Sequence, residues 1–440
     1  MTPRSGDGDA LALLGGTPAI TLDQTEAARW PLVEPEERAA VEEVLASGDW
    51  STSPVASLLE AEFAAYHGAR YALSTNNGTA ALHGAFFALG LGPGDEVISP
   101  SATYWATAMP VLNCGAIPVF ADVDPETMCL DPADVERKIT PRTRAVVVMH
   151  SGGMPCDMDA ILEVARRHDL RVVEDASHAH GATYRGRKVG TFGDVAAFSL
   201  QTSKLCPAGE GGVLLTDDLA ILRRATALGH YERLGRRPAG ATGQQADGQS
   251  EEDEYDRFRH TSFGYKYRIS PLNAAVGRVS LAKLDERNRR RNEGIRYLLD
   301  GISEVPGLTP QAIPDHIQRV YYGQPRVRYA DAELGGLPVE RFVEALRAEG
   351  ARVSGGTLLR HRGGLHTQPL FVERAHWAFQ HPANAESVGR ARYGAGTLPV
   401  TDDPPRGRIS LPAFPRPTKE LLDQYVAAFH KVARNAARLI

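Results

Sequence analysis

The sequence predicts an α/β fold, with a large domain on a mostly parallel central sheet flanked by helices and a smaller α+β domain at the C-terminal end. Two patterns carry this expectation. From Tyr71 onward, short apolar runs alternate with stretches of helical period, and the connections between them are short, as parallel crossover units demand. Beyond about Leu308 that alternation gives way to a mixed order of strands and helices. The length, 440 residues, also exceeds what a single hydrophobic core ordinarily serves.

Residues 1–29 read as a loosely ordered lead-in, because Gly, Asp and Thr interrupt any period. The predicted large domain spans 30–290. It opens with a helix from Pro35 to Ser47, where Val41, Val44 and Leu45 recur at helical spacing, Pro35 suits the first turn and Gly48 supplies a stop. Leu58 to Tyr66 repeats the pattern before Gly68. Strands are predicted at Tyr71 to Ser74, Glu96 to Ser99, Ile117 to Phe120, Ala145 to Met149 and Arg171 to Glu174. Ala80 to Leu89, Thr103 to Asn113 and Asp157 to His168 supply the helices between them. A polar stretch, 236–260, with Gly240, Gly243 and Gly248 ahead of Glu251-Glu252-Asp253-Glu254, cannot bury much apolar surface and reads as a loop insertion, either a lid or a plain surface segment. Pro271 then opens a long helix through Leu281, Leu284, Ile295 and Leu298. It leads into the predicted small domain, 291–440, with a strand at Gln324 to Tyr329 and helices at Pro338 to Glu349 and Thr418 to Ala437.

Composition bounds the function. Apolar residues make up 42% and charged residues 23%, as in an ordinary soluble globular protein, and the net charge of −5 gives no general attraction to nucleic acid or anionic membrane. The basic run Arg287-Asn288-Arg289-Arg290-Arg291 reads as a solvated helix face, with an anion or subunit contact as the alternative. Four cysteines, Cys114, Cys129, Cys156 and Cys206, match neither a disulfide framework nor a zinc site. The N-terminus lacks a signal-peptide core and no apolar run is long enough to span a bilayer, so the expected location is the cytoplasm. No metal site is expected.

Chemistry enters with two blocks. Val172-Val173-Glu174-Asp175 reads as a buried strand that stops at a carboxylate, and Phe198-Ser199-Leu200-Gln201-Thr202-Ser203-Lys204 as a strand that runs out to a lysine, before the glycine-rich turn Ala208-Gly209-Glu210-Gly211-Gly212 and a further strand at Val213 to Thr216. An aspartate at a strand end and a lysine on a neighbouring strand are what pyridoxal 5'-phosphate requires. The lysine amine forms the Schiff base, and the carboxylate keeps the pyridine nitrogen protonated so that the ring accepts carbanion electrons. Alone, either residue has a bland reading, as a surface cation or a helix N-cap.

These blocks, with Asn76-Asn77-Gly78-Thr79-Ala80-Ala81-Leu82 upstream and Gly264-Tyr265-Lys266-Tyr267-Arg268 downstream, closely resemble the DegT/DnrJ/EryC1/StrS family of sugar and cyclitol aminotransferases. The resemblance runs from about Trp30 to about Leu281 and returns at Ser410-Leu411-Pro412. It implies a fold-type-I pyridoxal-phosphate transferase that passes through pyridoxamine 5'-phosphate, acting in amino-sugar or secondary-metabolite biosynthesis as a homodimer with shared active sites. It makes Lys204 and Asp175 the catalytic pair. Gly78, Thr79, Ala80 and Ser199 would hold the phosphate, where a helix N-terminus favours a dianion. Tyr104 would stack on the ring, with the adjacent Trp105 as the alternative, and His178 would contact the ring hydroxyl. Lys266, at a position where many relatives carry Asn, would reach the phosphate of the neighbouring subunit. Trp30, Trp50, Ser51 and Gln201 would line the substrate cleft. His180 reads as packed.

The implied reaction takes an amino group from glutamate or glutamine to a keto-sugar or keto-cyclitol. Related dehydratases carry His in place of Lys204, which favours aminotransfer. Elimination or racemisation on the same scaffold, and a non-catalytic regulatory relative, are the alternatives. The segment Ser177-His178 and Leu228-Gly229-His230-Tyr231 lean towards cyclitol acceptors. No Rossmann glycine fingerprint or P-loop is present. Val320-Tyr321-Tyr322-Gly323 and Arg360-His361-Arg362-Gly363-Gly364 fit the family pattern poorly, in the half of the chain where acceptor contacts would lie.

Overall fold

The structure, a computed structural model, describes residues 10–51, 53–234, 256–258, 260–355, 363–403 and 407–440. Its central sheet has seven strands. In chain order the first five are β1 (Tyr71–Thr75), β2 (Glu96–Pro100), β3 (Ile117–Ala121), β4 (Thr143–Met149) and β5 (Arg171–Asp175). A short hairpin follows, β6 (Thr183–Tyr184) with β7 (Arg187–Lys188), and β8 (Val195–Ser199) and β9 (Gly212–Thr216) complete the sheet. The spatial order is β1-β9-β8-β5-β4-β2-β3. Pairings from β3 across to β8 are parallel, and β9 alone runs antiparallel, between β8 and β1.

The strands form where the sequence is a near-continuous apolar run, because helices cover both faces. Val146, Val148, Val172 and Phe198 join one buried cluster, and Val147, Val173, Val195 and Leu214 join another on the opposite face. Helix Gly78–Ala88 is buried at nearly every position, as expected of a helix enclosed by sheet and neighbouring helices. Asn77 caps it, its side chain accepting from the Ala80 N–H at 2.8 Å.

Helices also differ from expectation in two places. The stretch predicted as one helix from Thr103 to Asn113 is a single 3-10 turn, Trp105–Thr107, followed by the helix Met109–Asn113. Pro110 belongs in a first turn, and Thr103 and Thr107 bond through their hydroxyls at 2.7 Å, which offers the backbone a non-helical alternative. The long helix from Pro271 is two, Pro271–Ala282 and Leu284–Ile302, joined at Lys283. The Lys283 ammonium donates to Glu34, Glu36 and Glu37 at 2.8, 2.9 and 3.3 Å and so ties the junction to the helix Pro35–Ser47.

Beyond the junction an antiparallel sheet has the order β10-β12-β14-β13, with β10 at Leu308–Pro310, β11 (Ile317–Gln318) paired instead to β6, β12 at Arg326–Tyr329, β13 at Ser354–Gly355 and β14 at Arg408–Ser410. Helices Val339–Ala348 and Lys419–Arg434 cover one of its faces through Phe342, Leu346, Tyr425 and Phe429. The lead-in is not loose from Ala10 onward. Leu11 and Ile20 enter the same core, and the buried Glu349 carboxylate accepts from the Ala12 and Ala19 N–H groups, both at 2.8 Å, and from Lys431 Nζ at 2.9 Å. The polar insertion, apart from 256–258 and His260, and the residues Arg360-His361-Arg362 lie outside the described residues. Among the described residues, no helix is long and apolar enough to cross a membrane.

Candidate active site

The C-terminal ends of β5 and β8 lie side by side, and open parallel sheets place their ligands beyond such ends. Asp175, the last residue of β5, is buried. Thr107 donates its hydroxyl to Asp175 Oδ2 at 2.7 Å, and the Ser177 N–H donates to Oδ1 at 3.2 Å. Those two contacts fix the carboxylate's plane. The preceding Glu174 points to the other side of the strand. Burial pushes its carboxyl up, but His150 and the N–H groups of Gly193 and Gly190 outweigh that and hold it below the ordinary carboxylate value. The result is a rigid end to β5.

Lys204 sits on a turn rather than on the strand predicted to reach it. β8 ends at Ser199. The N–H of Leu200 then donates to Gly211, that of Thr202 to Gly209 and that of Lys204 to Gln201, each at 2.8 Å. Gln201, expected to line the substrate cleft, accepts through Oε1 from the Ser203 N–H at 2.8 Å and the Ser203 hydroxyl at 2.7 Å, so its side-chain oxygen braces the turn. Trp30 donates its indole N–H to the Lys204 carbonyl at 3.1 Å, and the Arg291 guanidinium covers the Trp30 ring at 4.5 Å.

Two further residues lie beside Lys204. His178 is stacked on Tyr322, ring centroids 4.1 Å apart and planes at 25°. Burial, then the nearby Lys204 and His180, push the His178 imidazole well below its ordinary pKa, so it is neutral, and its Nδ1 is buried without a hydrogen-bond partner. The Tyr322 hydroxyl lies 3.3 Å from Lys204 Nζ and 3.1 Å from the Ser203 hydroxyl. His180 is packed beside Phe198, both ring nitrogens unpartnered, and burial takes it down to about 3.

On the β1 side, helix Gly78–Ala88 points its first turn at Ser199. A Cβ at Gly78 would stand 2.7 Å from the Ser199 Cβ, so glycine is what permits this approach. The Ala80 N–H is taken by the Asn77 cap, whereas the N–H groups of Gly78 and Thr79 have no carbonyl four residues back within the helix. Tyr104 is 54% exposed, and Trp105, at 5.0 Å between ring centroids, is also exposed, so burial does not separate the two. Trp50 and Ser51 are exposed beyond the helix Pro35–Ser47, with the Trp50 indole donating to Leu45 at 3.2 Å. Lys266 is exposed on the segment after the polar insertion.

Sequence reasoning singled out Lys204, Asp175 and His178 and passed over Thr107 and, as a contact of the lysine, Tyr322. The donor to Asp175 lies 68 residues away along the chain and the partner of Lys204 lies 118 away, and no local pattern marks either pairing.

Comparison with known proteins adds a family, two relatives and two solved structures. The sequence profile of the DegT/DnrJ/EryC1/StrS aminotransferase family matches residues 31–430. An L-glutamine:scyllo-inosose aminotransferase of Streptomyces griseus is 42% identical over 351 residues, covering 77% of this chain and 79% of the relative. An L-glutamine:2-deoxy-scyllo-inosose aminotransferase of Micromonospora echinospora is 36% identical over 401 residues, covering 89% and 90%. Among solved structures, DesV of S. venezuelae in complex with a ketimine intermediate superposes with a TM-score of 0.72 at 32% identity, covering 92% of this chain and 99% of that one. An aminotransferase from Psychrobacter cryohalolentis gives 0.75 at 28%, covering 93% and 99%.

Proposed function

Because the chain belongs to the DegT/DnrJ/EryC1/StrS aminotransferase family, we propose that it moves the amino group of L-glutamine to a keto-cyclitol with pyridoxal 5'-phosphate as cofactor. The observation that carries this reading is the placement of Lys204 and the buried Asp175 beyond adjacent strands, in a chain whose relatives named above take glutamine and a scyllo-inosose. The residues fit that cofactor. Its phosphate matches the glycine-permitted helix start beside Ser199, and the unpartnered Nδ1 of His178 matches a ring hydroxyl.

When bound, pyridoxal phosphate supplies an electron-withdrawing ring that stabilises a carbanion and carries the nitrogen from one substrate to the next. Lys204 would hold it covalently and, once released by the donor's amine, would move the substrate's α-proton at Nζ. Asp175, oriented by Thr107, keeps the pyridine nitrogen protonated. Gly78 and Thr79 N–H groups, with the Thr79 and Ser199 hydroxyls, would hold the phosphate, next to Ala80 in the same helical turn. Tyr104 would cover the ring, and Trp30 fixes the lysine turn, with Trp50 and Ser51 proposed to line the substrate cleft. In this reading residues 30–290 carry the cofactor, residues 291–440 close the cleft, and Lys266 extends to the phosphate of a second copy, making a homodimer of shared sites.

The test is the visible spectrum of the cofactor-loaded protein. The account expects its band to bleach on adding L-glutamine and to return on adding scyllo-inosose, with Lys204→Ala showing neither the band nor turnover. A band indifferent to glutamine, or a Lys204→Ala protein that still transaminates, would overturn the reading.

A further inference from the structure

Residues 363–403 come from the C-terminal half of the chain, yet they pack on the large domain. Leu365, Phe371 and Leu398 share one buried cluster with Ala108, Leu112 and Phe120. Asp122, the buried residue that follows β3, accepts from the Val400 and Thr401 N–H groups at 2.8 and 2.9 Å and from the Thr401 hydroxyl at 2.7 Å. Ser101, the residue that follows β2, makes the second attachment. Its carbonyl accepts from the Leu365 N–H and its hydroxyl oxygen from the His366 N–H, both at 3.0 Å, and that hydroxyl lies 2.6 Å from His366 Nδ1. The segment is thus fixed beyond the C-terminal ends of β2 and β3.

The protons in this contact can be placed. On the far side of the His366 ring, Nε2 lies 3.0 Å from Asp402 Oδ1, while Asp402 Oδ2 accepts from the Gly396 and Leu398 N–H groups at 2.8 and 3.1 Å. A carboxylate oxygen only accepts, so Nε2 carries the ring proton. Burial holds the imidazole below its ordinary pKa against the pull of Asp402, so at pH 7 it is neutral and Nδ1 is left to accept from the Ser101 hydroxyl. Serine, histidine and aspartate in one chain are the members of a hydrolytic triad. Here they are sealed. Ser101 and His366 are both 0% exposed, and a Cβ at Gly364 would stand 2.6 Å from His366 Nδ1 and 2.7 Å from Ser101 Oγ, so the Gly364 backbone occupies the approach to the hydroxyl.

What the hydroxyl holds is the turn from Ser101 to Thr107. The single hydroxyl proton of Thr107 goes to Asp175, so in its 2.7 Å pair with Thr103 the Thr103 hydroxyl is the donor. The Thr107 N–H donates to the Tyr104 carbonyl at 3.1 Å. One line of directed hydrogen bonds therefore runs between Asp402, His366 and Ser101, and another from Thr103 through Thr107 to Asp175. Only the buried Ala102 separates them along the backbone.

We propose that His366 is a positioning residue for the candidate active site: by accepting the Ser101 hydroxyl it fixes the turn from Ser101 to Thr107, and with it the orientation of Asp175 towards the cofactor ring. This rests on the pyridoxal-phosphate reading, and its test is separable from it. His366→Asn keeps an acceptor near the place of Nδ1, whereas His366→Gln sends its amide towards Asp402 and leaves the Ser101 hydroxyl without its acceptor. Both full-length variants are compared with wild type by hydrogen exchange of the peptide 101–108, with and without cofactor, and by the visible circular dichroism of the bound cofactor. In the Gln variant the peptide is expected to exchange about tenfold faster and the dichroic band to shrink, while the Asn variant stays within about twofold of wild type in both. Gln and Asn variants that behave alike overturn the inference, as does a Gln variant with wild-type exchange. Should His366→Gln not fold, Ser101→Ala removes the hydroxyl alone and is read in its place, with about tenfold faster exchange expected and wild-type exchange overturning the inference. A wild-type cofactor band indifferent to glutamine removes the aminotransfer reading itself, whereas a responsive band with unaltered exchange in the variants removes only this inference.

Discussion

Tyr322 brings the C-terminal half of the chain to Lys204 by its hydroxyl and to His178 by its ring. Removing the hydroxyl while keeping the ring isolates the first contact. Tyr322→Phe is expected to slow the glutamine half-reaction about tenfold, or about 1.4 kcal/mol, the scale of one hydrogen bond. Stopped-flow bleaching of the cofactor band measures it, and an unchanged rate contradicts the assignment. Lys204, Asp175 and His178 were open to proposal from the sequence because each lies in a short block that resembles the family's motifs. Tyr322 was not, since nothing around it distinguishes a contact to Lys204 from a core aromatic. Gln201 shows the converse: its position near the lysine was readable, but whether its amide meets a ligand or caps the Ser203 turn depends on backbone geometry.

At the scale of elements, the strands of the central sheet were readable because a strand covered on both faces is a plain apolar run, as Ala145 to Met149 is. The two misread helices hide their interruptions. Lys283 is an ordinary helix former, and only its three carboxylate partners from the helix Pro35–Ser47 reveal the junction. The polar lead-in likewise gave no sign of Glu349, whose carboxylate gathers two of its backbone N–H groups and Lys431. Both charged side chains of that pair are nearly inaccessible. Glu349→Ala therefore leaves a buried ammonium unpaired and is expected to cost about 3–5 kcal/mol, read from the denaturant midpoint. A loss below about 1 kcal/mol would mean that the lead-in is held by Leu11 and Ile20 alone.

For the molecule as a whole, Lys204 and its contact Tyr322 come from segments far apart in sequence, and Lys266 is exposed on the segment after the polar insertion. If Lys266 serves a second copy, then mixing Lys266→Ala with Lys204→Ala should restore about a quarter of wild-type activity, because random pairing makes half of the dimers mixed and each of those has one intact site. No recovery in verified mixed dimers would mean that each site is built from one chain. The central claim, that the nitrogen passes from glutamine to a keto-cyclitol, is tested most directly by supplying L-glutamine labelled with nitrogen-15 at the α-amino group together with scyllo-inosose. The account predicts an aminocyclitol carrying the label and unlabelled amide nitrogen left in the residual keto acid. An unlabelled product, or no aminocyclitol while glutamine is consumed, would contradict it.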